Sequence, residues 1–170
     1  LLCIIALTLS VNAHADDDHS HEDDDDSGED YTKVTYGSAI KLLHKSSQFR
    51  LHSHGIKWGS GSGQQSVTGF EGADDPNSLW QIKEQFVRKD GSNTGAPIAF
   101  VAGTPVKCGD IIRLQHVQTK RWLHSHQHQS PLSHRQEISG YGEDNGVGSD
   151  SGDNWRVDCF DNQGKEWLRE

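Results

Sequence analysis

Short runs of alternating apolar and polar residues occur in two separate parts of the chain. In the first run Ile40 and Leu42 flank a lysine, and in the second Ile112 and Leu114 flank Arg113. A period of two residues places one apolar set on one face of a strand. Stretches rich in Gly, Ser and Asp separate these runs, and no ten residues keep a helical period. The pattern predicts an all-β fold.

The two parts are copies of each other. Residues 37–54 match residues 109–126 at a constant offset of 72, and both contain the sequence Leu-His-Ser-His. Further along, residues 65–69 match residues 136–140, and Trp80 matches Trp155. Matches in the same order and at nearly the same spacing indicate an internal repeat.

Each unit is predicted to contain four short strands. The predicted strands are 39–45, 49–54, 65–70 and 79–83 in the first unit, and 111–117, 121–126, 136–141 and 154–158 in the second. Four-strand units of this length favour a β-trefoil, in which three units close a barrel and remove exposed strand edges. Residues 167–170 would then begin a third unit. A propeller is the alternative, but its blades repeat at about 40–50 residues and at least four are needed.

The motifs resemble those of a known family. The doubled Leu-His-Ser-His, the segment 59–69 and the later Trp80 and Trp155 are similar to the MIR repeats of the stromal cell-derived factor 2 family. The resemblance implies that residues 31–170 form an MIR β-trefoil, with a first unit at about 34–86, a second at about 104–159 and a truncated third.

The same resemblance implies a function and a location. Such proteins have a signal peptide, reside in the endoplasmic reticulum lumen and work with a DnaJ-type co-chaperone and the chaperone BiP in protein quality control. MIR repeats also occur in protein O-mannosyltransferases, which points to unfolded or mannosylated proteins as clients. The chain departs from the family in two respects: no C-terminal retention tetrapeptide is visible, and an acidic block at 16–30 lies outside the shared pattern.

The first fifteen residues are predicted to be a signal peptide. Residues 1–11 are apolar except for Thr8 and Ser10, and Ala13 and Ala15 suit signal peptidase. A run this short cannot cross about 30 Å of hydrocarbon, and no other stretch approaches a membrane span. The alternative, a buried N-terminal strand, conflicts with the acidic run that starts at Asp16. We therefore expect a product in the endoplasmic reticulum lumen or secreted, and the missing Met suggests a fragment.

The net charge of −9 comes from one segment. Residues 16–30 contain ten Asp or Glu and no Lys or Arg, which predicts a disordered, solvated segment. The remaining 15 acidic residues balance the 16 Lys and Arg. A neutral body gives no electrostatic reason to expect a nucleic-acid partner.

Two cysteines remain once the signal segment, with Cys3, is removed. Cys108 and Cys159 form either one disulfide or two buried free thiols. In a trefoil the first and fourth strands of a unit pair with each other. Cys108 precedes the first strand of the second unit and Cys159 follows its fourth, so the trefoil predicts a disulfide.

The candidate binding residues lie mainly on the second strand of each unit and beside it. They are Arg50, His52, His54, Trp58, Gln65, His124, His126 and Gln136. If Leu51 and Leu123 fill the core, the alternation points His52 and His54 outward. Trp58 has no aromatic counterpart in the second unit and adjoins a glycine loop, which favours an exposed anchor.

Other histidines, tryptophans and acidic residues are assigned structural roles. His44 and His116 share a face with the apolar residues and are predicted to be packed, hydrogen-bonded barrel residues. Trp80 and Trp155 are predicted to be core. The acidic segments 74–76 and 150–153 are turns first and cation or sugar contacts second. Two imidazoles on a strand fall short of the four ligands of a structural zinc site, so no metal site is predicted.

No catalytic arrangement is predicted. Ser53 and Ser125 adjoin histidines in sequence, but neighbours on a strand point to opposite faces, which prevents a Ser–His proton relay. We expect a non-enzymatic adaptor without a cofactor. The alternatives are a carbohydrate-binding, lectin-like module and the MIR segment of a mannosyltransferase. Membrane spans would favour the latter, whereas only a signal peptide precedes the repeats.

Overall fold

The structure is a computed structural model that describes residues 32–87, 101–130, 133–159 and 165–169. The predicted signal peptide and acidic segment lie outside these residues. The described chain forms eight strands and two short 3-10 turns, Pro76–Ser78 and Ser151–Asp153. The strands are β1 (Ala39–Ile40), β2 (Arg50–Lys57), β3 (Gln65–Phe70), β4 (Trp80–Glu84), β5 (Ile111–His116), β6 (Trp122–Gln129), β7 (Gln136–Tyr141) and β8 (Trp155–Arg156). The all-β prediction is confirmed.

All eight strands belong to one curled antiparallel sheet. Its order is β1-β4-β5-β6-β7-β3-β2, with β8 paired to β5. The hairpins β2–β3 and β6–β7 have matching registers, since Ser53 faces Val67 and Ser125 faces Ile138. The units meet where β4 pairs with β5 and where Ser66 on β3 faces Ser139 on β7. Alternating side chains thus point into one shared core.

Three short segments pair with one another around the base of the sheet. Lys33 bridges Leu168, Thr35 bridges Pro105, and Lys107 bridges Glu166. Each of the first two segments precedes the first strand of a unit, and residues 165–169 take the third position. This closed set of bridges gives the sheet the threefold character of a trefoil, which supports the predicted trefoil-type fold.

The core lies inside the curled sheet. Trp80, Ile82 and Val106 are fully buried, and Ile112 and Leu123 pack with them. An apolar cavity of about 560 Å³ continues from this core between the two units, lined by residues that include Leu51, Leu114, Ile138, Trp155 and Trp167. Apolar burial of this kind is the main stabilising contribution to a β-barrel core.

The predicted strand bounds match the hairpins best. The predicted strands 65–70 and 136–141 coincide with β3 and β7, and those at 49–54 and 121–126 continue three residues further as β2 and β6. The first strand of unit one is shorter than predicted. It pairs with β4 only at Ala39 and Ile40, and the chain beyond them pairs instead with the start of β2, where Leu43 bridges Arg50.

His44 is hydrogen-bonded as predicted, but the prediction that it is packed is wrong. His44 is exposed, its N–H donates to the carbonyl of Phe49, and its Nδ1 lies 2.7 Å from Ser47 Oγ. Its counterpart His116 is fully buried, as predicted, because β5 continues to His116 and pairs it with Trp80.

Cys108 and Cys159 form a disulfide, with 5.5 Å between their Cα atoms. The pair is the one predicted from the trefoil. β8 pairs with the start of β5, where Ile111 faces Arg156, and this pairing brings the two cysteines together. The bond therefore ties the beginning of the second unit to its end.

Candidate functional site

His52, which was expected to point outward, is buried, and so is its counterpart His124 on β6. His52 and His124 are only 5% and 4% exposed. Leu51 and Leu123 do face the core, so the alternation itself is correct. The opposite face is covered, however, because the 3-10 turns fold back over it. Phe70 and Tyr141 also stack on the rings of His52 and His124, with centroids 4.8 and 4.4 Å apart.

In the second unit His124 belongs to an acidic cluster in which Asp153 is buried and Asp150 is partly exposed. Its Nδ1 lies 2.8 Å from Asp153 Oδ1 and 3.6 Å from Asp150 Oδ1. Asp153 is fully buried, and its Oδ2 accepts hydrogen bonds from Ser149 Oγ and the Asp150 N–H. One imidazole and two carboxylates are a ligand set that could hold a divalent metal ion. Asp150 and Asp153 also cap the turn at 151–153.

Arg113 extends this cluster toward the first unit. Its guanidinium donates to Ser149 Oγ and to the Glu84 carbonyl, each at 2.7 Å, and its Cζ lies 4.1 Å from the centroid of the Trp122 ring. Burial lowers the pKa of Arg113, while Glu84 and then Asp153 oppose that shift. The buried guanidinium of Arg113 therefore has hydrogen-bond partners in both units, Glu84 in the first and Ser149 in the second.

In the first unit the corresponding histidine, His52, contacts a neutral serine hydroxyl instead of a buried carboxylate. His52 Nδ1 lies 3.3 Å from Ser78 Oγ and 3.9 Å from Asp75 Oδ2. Burial lowers the pKa of His52, and Asp75 opposes that shift. Asp75 caps the turn at 76–78 by accepting from the N–H of Asn77, which is the main reason that the pKa of the carboxyl is lowered.

His116 packs beneath the same turn. Its Nε2 donates to the Asn77 carbonyl at 2.9 Å, while Nδ1 accepts from the Thr119 N–H at 3.2 Å. Burial lowers its pKa, which the carbonyl of Asn77 partly opposes. A ring with one donating and one accepting nitrogen is the neutral tautomer.

His126 lies where the two units meet. Its Nε2 is 3.5 Å from Oε1 of the buried Glu137, and that carboxylate accepts from the Ser62 N–H and hydroxyl of the first unit. Burial lowers the pKa of His126, as does the neighbouring His124. Its counterpart His54 is half-buried beside His52, with ring centroids 5.3 Å apart.

The remaining candidates are held by internal contacts or lie apart. Gln65 is buried, and its amide donates to Ser53 Oγ and Thr119 Oγ1. Arg50 donates to the Glu71 carbonyl. Gln136 is exposed at the start of β7. The structure therefore does not assemble the eight predicted residues into one site.

Trp58 is not the free exposed anchor that the sequence suggested. The residue is half-buried, and its indole N–H donates to the Ile138 carbonyl of the second unit at 3.2 Å. The Gly-rich loop next to it packs against β7, which leaves part of the ring covered. Trp58 therefore joins the two units.

The predictions for the two other tryptophans and for the serines fit the geometry. The indole N–H of Trp80 donates to the Leu51 carbonyl at 3.0 Å, and that of Trp155 donates to the Leu123 carbonyl at 2.9 Å. Ser53 and Ser125 donate their hydroxyls to the carbonyls of Ser66 and Glu137. These hydroxyls are bound to backbone rather than to a histidine.

Sequence reasoning missed Glu137 and Ser62, and it assigned Asp153 to a turn without its contact to His124. The available signal was the difference between the units. Glu137 stands where the first unit has Ser66, and Asp153 stands where it has Ser78. A carboxylate that replaces a hydroxyl in one of two otherwise similar units indicates a local change of chemistry.

Comparison with known proteins places these features in a family. The MIR domain model matches residues 59–167. The stromal cell-derived factor 2-like protein of Arabidopsis thaliana is 41% identical over 98% of this chain and 70% of its own length. The crystal structure of the SDF2-like protein from A. thaliana is 47% identical, with a TM-score of 0.66 over 79% of this chain and 67% of the other.

A mannosyltransferase complex shares the fold as well. The structure of the S. cerevisiae protein O-mannosyltransferase Pmt1-Pmt2 complex bound to the sugar donor is 31% identical, with a TM-score of 0.59. That similarity covers 75% of this chain and 16% of the enzyme chain. In the part of this chain that the structure describes, no helix has the length and apolarity of a membrane span. The protein belongs to the stromal cell-derived factor 2-like family of MIR-domain proteins.

Proposed function

We propose that this protein is a non-enzymatic adaptor of the chaperone and quality-control machinery in the endoplasmic reticulum lumen. It would bind a DnaJ-type co-chaperone, work with BiP, and bind unfolded or mannosylated clients. The observation that carries the proposal is the match to stromal cell-derived factor 2-like proteins over nearly the whole chain. The names of these relatives denote no enzymatic activity.

The site geometry supports binding rather than catalysis. The His124–Asp153 pair is sealed beneath the turn at 151–153, and the hydroxyl of Ser125 is bound to a backbone carbonyl. A nucleophile needs a base within hydrogen-bond reach, and neither described hydroxyl beside a β2 or β6 histidine has one. What remains is a rigid double hairpin with exposed ends, which suits an adaptor.

The test uses the purified full-length protein, immobilised and exposed to a luminal DnaJ-type co-chaperone and to BiP. We expect the co-chaperone to bind directly and BiP to be retained only when the co-chaperone is present. Reduced and alkylated protein is the control, because a chaperone that binds the unfolded chain as a client would be retained by this sample as well. If the folded protein retains neither chaperone, the adaptor function is wrong.

Two exposed apolar residues allow the binding face to be mapped. Ile56, at the end of β2, is 60% exposed, and Val147, in the turn after β7, is 57% exposed. Ile56→Lys and Val147→Lys are matched changes on different units. Binding that one change abolishes and the other leaves intact assigns the contact to that unit.

A carbohydrate-binding module is the second candidate. The similarity to the mannosyltransferase complex bound to its sugar donor favours it, as do the carboxylates of Asp75 and Asp150 beside stacked aromatic rings. Aromatic faces with nearby hydrogen-bonding groups are suited to sugars. Binding of mannose-containing glycans on an array, lost in Asp150→Asn but kept in Asp158→Asn, would favour this function over the adaptor.

A further inference from the structure

His126 has a buried nitrogen whose hydrogen-bonding capacity is unused. Among the described residues, its Nε2 is buried without a hydrogen-bond partner. The nearest acceptor is Oε1 of Glu137, 3.5 Å away, and Glu137 itself is only 3% exposed. Buried polar groups nearly always have partners, and a bound ion is one of the recognised explanations of an exception.

The carboxylate that faces this nitrogen is held in place from the other unit. The Ser62 N–H lies 3.3 Å from Glu137 Oε2, and the Ser62 hydroxyl donates to Oε1. In metal sites, carboxylate ligands are commonly fixed by such hydrogen bonds from outside the coordination sphere. The first unit therefore orients a potential ligand of the second.

A second imidazole lies next to His126 on the same face of β6. The rings of His126 and His128 are 4.8 Å apart between centroids, and His128 is exposed, so it can turn toward the pair. We propose that His126, His128 and Glu137 bind a divalent transition-metal ion of the Zn²⁺ class. Two imidazoles and one carboxylate are a known zinc ligand set with one open position.

The distance between the two buried ligand atoms suits this ion, and His128 completes the set by turning toward them, because none of its nitrogens lies within 4.8 Å of both atoms in this structure. Ligand atoms about 2.0–2.1 Å from a tetrahedral zinc lie about 3.3 Å from one another, close to the 3.5 Å between His126 Nε2 and Glu137 Oε1.

The cluster of His124, Asp150 and Asp153 is the weaker candidate. His124 Nδ1 already pairs with Asp153 Oδ1, and Asp153 Oδ2 already accepts two hydrogen bonds. A metal ion there would have to displace these contacts, whereas the nitrogen of His126 has none to lose.

The first unit supplies an internal control. His54 corresponds to His126, but Ser66 stands in the place of Glu137 and Ile56 in the place of His128. The two hairpins share the same strand register up to Ser53 and Ser125. Only the second unit should therefore bind the ion.

The test is calorimetric titration of ZnCl₂ into metal-free full-length protein at pH 7.5. The double variant H126A/E137Q provides the baseline contributed by the remaining histidines. We expect H126A and E137Q each to weaken the affinity at least about tenfold, and H128A to weaken it less, while H54A leaves it unchanged. Circular dichroism spectra that match the unmodified protein show that each variant is folded.

Three results would overturn the proposal. One is an unmodified protein that binds no more zinc than the double variant. Another is an equal loss in H54A and H126A. The third is a loss in D150N without a loss in E137Q, which would assign the ion to the cluster around Asp153. If H126A unfolds, the test rests on H128A and E137Q. His128 is exposed and the change of Glu137 to Gln keeps the shape of the side chain, so both variants should fold.

Discussion

His124 and Asp153 form a buried pair in which Nδ1 of the histidine lies 2.8 Å from Oδ1 of the aspartate. In the first unit Ser78 takes the place of Asp153, with its hydroxyl 3.3 Å from Nδ1 of His52. Both pairs join a 3-10 turn to the second strand of their unit. We call each of these contacts a joint. The joint of the first unit has a neutral hydroxyl, whereas the joint of the second has a carboxylate with three hydrogen-bond donors around it.

The replacement Asp153→Ser should destabilise the protein. It makes the second joint resemble the first, but it leaves His124, the Ser149 hydroxyl and the Asp150 N–H without their acceptor. We expect the free energy of unfolding to fall by about 2–3 kcal/mol, measured by urea denaturation. Ser78→Ala in the first unit is the control and should cost only about 1 kcal/mol. Equal losses would mean that the carboxylate adds nothing to the joint.

Acid should weaken the fold through three of its histidines. Burial lowers the pKa of His52, His116 and His126 below the ordinary value of 6.5. The unfolded chain therefore takes up protons first as the pH falls, so the stability is complete above pH 6.5 and declines below it. Urea denaturation between pH 7.5 and 5 measures this, and His116→Gln should reduce the slope. A free energy of unfolding that stays constant over that range would contradict the expectation.

The sequence predicts the hairpins and much of the core because alternation reports which side chains face inward. The bounds of β3 and β7 follow from it, and so does the inward direction of Leu51 and Leu123. The internal repeat also identifies Trp80 and Trp155 as equivalent residues, and in the structure their indoles make equivalent hydrogen bonds.

Alternation cannot tell what covers the other face of a strand. His52 and His124 are buried because turns about 25 residues later fold back over them, and that return depends on the caps formed by Asp75 and Asp150. Nor can local pattern reveal the contact between Ser62 and Glu137, which are 75 residues apart. The shape of the site thus depends on long-range packing that the period of two does not encode.

Reduction of the disulfide should cost more stability than any single substitution considered above. Cys108 and Cys159 are 51 residues apart in sequence, and closing a loop of that length restricts the unfolded chain by about 4 kcal/mol. Urea denaturation of the C108S/C159S variant against the unmodified protein measures the loss. Alkylation of denatured, unreduced protein is the control: labelling of both Cys108 and Cys159 would show that the bond is absent.

Trp58→Phe should weaken the junction between the units without removing the ring. The indole N–H donates to the Ile138 carbonyl of the second unit at 3.2 Å, and phenylalanine keeps an aromatic ring but lacks that donor. We expect a loss of about 1 kcal/mol in the free energy of unfolding, because one partly buried carbonyl loses its partner. If Trp58 serves only to join the two units, glycan binding should persist in this variant. Abolished glycan binding with unchanged stability would instead restore Trp58 as a ligand-stacking anchor.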